Sequence, residues 1–71
     1  MQFYQDFFDG KPIEGVAFIH NQAVRVVVGP HAGQTGSLIS LEAIEPVPIF
    51  LMELESGVDV LVKQTQIERI G

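Results

Sequence analysis

Apolar and polar positions alternate along most of this chain with a period of two. In 23–28, Val24, Val26 and Val28 alternate with Ala23, Arg25 and Val27, the spacing of a strand with one buried face. A turn-rich stretch from Gly29 to Gly36 follows, and a second strand is predicted over 37–42. Glu45-Pro46-Val47-Pro48 interrupts the pattern. A third strand over 49–55 sets Phe50, Met52 and Leu54 on one face. Ser56-Gly57 suits a tight hairpin turn, and a fourth strand over 58–63 sets Val58, Val60 and Val62 on one face. Gln64-Thr65-Gln66 reads as one helical turn before a short last strand, 67–70. The first residues follow another rule. Phe3 and Phe7, and Tyr4 and Phe8, are four apart, so a short helix would bring each pair onto one face. Asp9-Gly10-Lys11-Pro12 ends that helix, and 13–19 is predicted to be a short strand or an irregular strap.

The 24–38 segment has a stated physical logic. Pro30 presets its own φ for the second position of a turn. Gly33 and Gly36 suit positions of positive φ or close backbone approach. The spacing Gly29, Gly33, Gly36, Leu38 resembles the KOW motif, in which a strand runs into three spaced glycines and an aliphatic residue. Val60 to Ile70 is similar to the closing strand, one-turn helix and final strand of KOW domains. The resemblance covers about residues 22–70 and is nearest to the carboxy-terminal domains of NusG-type transcription factors; several ribosomal proteins share the motif. It implies an all-β fold, a small five-stranded SH3-like barrel over 20–71; the aromatic segment over 1–19 is an extension without a counterpart in the motif. It also implies that partners meet the residue after Gly-Pro, here His31, and the tip of the later hairpin, here Glu55-Ser56-Gly57.

Composition narrows the function. The chain has 71 residues, which suits one domain, and 46% hydrophobic residues, which is enough for a core. All the aromatics except Phe50 lie in 1–19. No cysteine is present, so neither a disulfide nor a thiolate metal site is expected. Four basic against nine acidic residues give a net charge of −5. Nucleic acid is disfavoured as a partner, because phosphate contacts need a basic patch and only Lys11, Arg25, Lys63 and Arg69 could make one. The same balance argues against an anionic membrane surface, and the longest apolar run, Ile49 to Met52, is far short of a span. A cytoplasmic protein is expected. No serine sits in a nucleophile elbow, and the glycine-rich turn opens a strand where a phosphate loop would open a helix, so neither an enzyme nor a cofactor is expected.

The apolar count points to an interface. With Val24, Val26, Val28, Leu38, Phe50, Met52, Leu54, Val58, Val60, Val62 and Ile67 inside, Val27, Ile39, Ile49, Leu51 and Leu61 alternate outward. A patch of that kind marks a contact surface. Two coverings compete: the aromatic segment with Phe3 and Phe7, or a second chain. The candidate partner-binding residues are therefore Val27, His31, Gln34, Thr35, Ile39, Ile49, Leu51, Leu61, Phe3 and Phe7, with Gly29, Pro30, Gly33 and Gly36 shaping the turn. The expected role is a non-catalytic protein-interaction module or self-associating accessory protein. The alternative that the KOW resemblance carries is an RNA- or ribosome-binding protein.

Overall fold

A computed structural model describes residues 2–70. Met1 and Gly71, the outer ends of the expected extension and barrel, lie outside the described residues. The fold is all-β with one short helix: α1 (Gln2–Phe8), β1 (Ala23–Val26), β2 (Thr35–Ala43), β3 (Ile49–Leu54), β4 (Asp59–Lys63), a one-turn 3-10 helix (Gln64–Gln66) and β5 (Ile67–Arg69). Among the described residues, no helix is long and apolar enough to cross a membrane.

The five strands form one antiparallel sheet in the order β4-β3-β2-β1-β5. β4 and β5 are thus its two outer strands, yet they are consecutive in the chain. In a flat sheet they would lie about 19 Å apart, four strand spacings of about 4.8 Å. The three residues between them cannot reach that far, because four Cα steps span at most about 14 Å. The sheet therefore curls, and its concave face holds the core.

That core is Val24 and Val26 of β1, Leu38 and Leu41 of β2, Phe50, Met52 and Leu54 of β3, Val62 of β4 and Ile67 of β5, with Phe7 and Phe18 from the first segment. Val60 is half-buried against it. Strict alternation would not put both Leu38 and Leu41 inside. β2 manages this through two bulges, between Leu38 and Ser40 and between Leu41 and Ala43, each of which resets the face that its residues present.

Two inward assignments are corrected. Val28 and Val58 stand 53% and 56% exposed. β1 ends at Val26, whose carbonyl accepts from Gly33 N–H at 2.7 Å, so Val28 has already left the sheet for the turn. Val58 precedes β4 and closes the hairpin with its carbonyl, which accepts from Leu54 N–H.

The first segment joins the same core. Phe7 is 2% exposed, its ring 5.6 Å from that of Phe50, and Phe18 meets Phe50 edge-on at 5.9 Å. Phe3 packs half-buried beside them, while Tyr4 and Phe8 face outward. Residues 13–19 form a strap rather than a strand, with a turn closed by Val16 N–H on the Ile13 carbonyl. Gln64 staples the strap: its Nε2 donates to the Gly15 carbonyl at 3.0 Å, and its Oε1 accepts from Ala17 N–H at 2.9 Å. Arg69 adds a third tie, donating to the Ala17 carbonyl at 2.8 Å with its guanidinium over the Phe18 ring.

Candidate interaction surface

The glycine-rich turn is built as a closed set of hydrogen bonds. Ala32 N–H donates to Gly29 carbonyl, which puts Pro30 second in that turn, where its fixed φ fits. Gln34 N–H then donates to His31 carbonyl, with Gly33 third at φ 93°, a conformation that side chains resist. Gly36 answers a different need. A Cβ there would lie 2.0 Å from the Glu53 carbonyl oxygen, so only glycine lets β2 pair this closely with β3.

The end of this turn meets the tip of the β3–β4 hairpin. Glu55 N–H donates to the Thr35 carbonyl at 3.0 Å, and the Thr35 hydroxyl donates to the Glu55 carboxylate. An open groove lined by Gly36, Ser37, Glu53, Leu54, Glu55 and Gly57 lies between them. Two stretches that are 20 residues apart thus share one end of the molecule. Val27 and Val28 at the root of the turn are exposed, Gln34 is exposed, and His31 and Thr35 are half-buried.

The convex face of the sheet carries the second group. Leu51 and Leu61 are direct cross-strand partners. Theirs is a non-hydrogen-bonded pair, because the flanking bonds run from Leu54 N–H to Val58 and from Gln64 N–H to Pro48, and side chains approach most closely at such pairs. The bulge sets Ile39 and Ser40 together against Leu51, and Ile49 lies two residues along β3 from Leu51, opposite Lys63. Leu61 is 62% exposed, while Ile39, Ile49 and Leu51 are half-buried. Glu53 and Asp59 face each other at one end of this apolar strip and Lys63 stands at the other.

No family model and no curated protein matches this chain.

The ten candidate partner-binding residues thus divide. Ile39, Ile49, Leu51 and Leu61 adjoin one another on the convex face. His31, Gln34 and Thr35 lie in the turn, with Val27 at its root. Phe7 is spent inside its own chain, which removes it as a contact for a partner, and Phe3 is half-buried against the core and stacked on Tyr4 at 4.6 Å. The helix therefore packs on the core side and leaves Leu61 uncovered. Sequence reasoning did not find Gln64 and Arg69, whose side chains hold the strap. Gln64 directly follows β4 and Arg69 ends β5, and a polar residue at a strand end is an ordinary sequence feature.

Two of the four basic residues are engaged within the chain. Arg25 pairs with Glu68 at 3.1 Å across β1 and β5, and Arg69 is taken up by the Ala17 carbonyl and Phe18.

Proposed function

We propose that this chain is a non-catalytic protein-interaction module with an SH3-like barrel of KOW type. The strand order β4-β3-β2-β1-β5, the single 3-10 turn between the outer strands and the glycine-shaped turn before β2 support the fold assignment. The observation that carries the interaction role is the convex Leu51–Leu61 pair, with Ile39 and Ile49 beside it, Leu61 lying on β4 at the edge of the sheet. An apolar strip beside an open edge offers a partner side-chain burial and backbone hydrogen bonds together. Binding to RNA or the ribosome is the weaker reading: with Arg25 and Arg69 each engaged within the chain, the acidic surface lacks the concentrated positive charge that phosphates require. A cytoplasmic setting suits a chain that needs no disulfide.

The test is affinity capture from the source cell with the intact chain and with Leu61→Asp, matched for thermal stability. A defined protein retained by the first and lost by the second supports the role. Equal recovery on both overturns the convex face as the contact.

A further inference from the structure

We infer that β4 pairs with β4 of a second copy of this chain, antiparallel about a two-fold axis at Leu61. This rests on the interaction reading above and names its partner.

The backbone supplies the first argument. Leu54 N–H donates to Val58 and Gln64 N–H donates to Pro48, and the β3–β4 register runs unbroken between them. Antiparallel ladders turn alternate residues toward the neighbouring strand. Residues 58, 60, 62 and 64 therefore face β3, and Asp59, Leu61 and Lys63 direct their N–H and C=O groups to the open edge. Lys63 is already engaged there: its N–H is taken by the Gln66 side chain at 2.9 Å, and its carbonyl, at the N-cap of the 3-10 turn, accepts the first bond of that turn. Among the described residues, Asp59 and Leu61 have no backbone partner on that side. Such an edge is a template for another strand.

The side chains select the strand. Asp59, Leu61 and Lys63 are all exposed, on the convex face. A symmetric antiparallel pairing must match residue i with j and j with i. Edge groups match only when odd-numbered residues oppose one another, which leaves few registers. Centring on Asp59 opposes two carboxylates, and centring on Lys63 opposes two ammonium groups. The registers between these set a charge against Leu61. Centring on Leu61 alone sets Leu61 against its copy, each Asp59 against a Lys63, and each Val60 against a Val62. Opposite charges across a strand pair are favourable and like charges are not. In that register Leu61 exchanges two backbone hydrogen bonds with its copy. The Leu51–Leu61 strips of the two chains then join into one apolar surface across the axis.

The experiment is the solution mass of the whole chain by light scattering over a range of concentrations, for the natural protein, Asp59→Lys, Lys63→Asp and the double exchange. The natural chain rises toward twice its 7.8 kDa with concentration. Each single reversal sets like charges face to face and holds the mass at one chain; the double exchange restores the pair. Asp59 faces Glu53 within its own chain, so Asp59→Lys relieves a repulsion there and does not threaten folding. Amide exchange gives a readout without substitution: the Leu61 amide slows as concentration rises, whereas that of Lys63, already bonded, changes less.

A natural chain that stays at one-chain mass at millimolar concentration overturns the inference, as does a dimer indifferent to both single reversals. A monomeric natural chain that still captures a partner lost by Leu61→Asp removes self-pairing and keeps the interaction role. Failure of that capture as well removes both.

Discussion

Gly33 and Gly36 serve one turn for different reasons, and substitution separates them. Gly33→Ala keeps its space open but strains a backbone at φ 93°, which costs about 1–2 kcal/mol. Gly36→Ala forces a Cβ onto the Glu53 carbonyl, and the strands must part. We expect it to cost about 3 kcal/mol, the upper range for overpacking, and urea denaturation should rank the two in that order. The aromatics divide in the same way. Phe7→Ala empties a site in the core between Phe50 and His20, with an expected loss of about 3–5 kcal/mol. Phe8→Ala, at a residue 46% exposed, stays within about 1 kcal/mol. The same denaturation midpoints check both. A domain of this size has about 5 kcal/mol to lose, so Phe7→Ala brings it to the edge of unfolding.

Among the elements, α1 has seven residues and cannot stand alone. It is held by what Phe7 and Phe3 bury, and it contributes to the core in return. Deleting residues 1–9 is therefore expected to lower the melting temperature sharply, read by circular dichroism; an unchanged melt would mean that Phe7 is dispensable to the core. The strap depends on polar contacts. Gln64 uses its amide as a strand would use a peptide group, donating to Gly15 and accepting from Ala17. Gln64→Ala removes two hydrogen bonds and should cost about 1–2 kcal/mol. Its specific mark is faster proteolysis within 11–19 at denaturant concentrations where the sheet persists.

At the scale of the whole molecule, β4 lies last in the strand order, with one bonded side and one open side. A substitution on the open side should act on association and not on folding. Leu61→Asp, at 62% exposure, is expected to leave the unfolding free energy within about 0.5 kcal/mol. It should abolish any rise of mass with concentration, which sedimentation measures directly. A loss of stability comparable to that of Phe7→Ala would mean that Leu61 is part of the fold and not of a contact.

The strands, their breaks and most of the buried residues were legible in the sequence, because a period of two is a local property and the valines, glycines and prolines that mark it act over a few residues. Val28 and Val58 were misplaced because alternation does not say where a ladder ends; the bonds from Gly33 and Leu54 decide that. The bulges of β2 and the grip of Gln64 and Arg69 on the strap were not legible, since each joins residues far apart in the chain. The convex patch was visible as a set of leftover apolar positions, but whether α1 would cover it was not. By itself the sequence determined where the strands lie and which side of β1, β3 and β4 is apolar. Only the tertiary structure decided that Phe7 lies in the core, that Leu61 stays in water and that β4 ends the sheet, because burial and edges follow from which strands are neighbours.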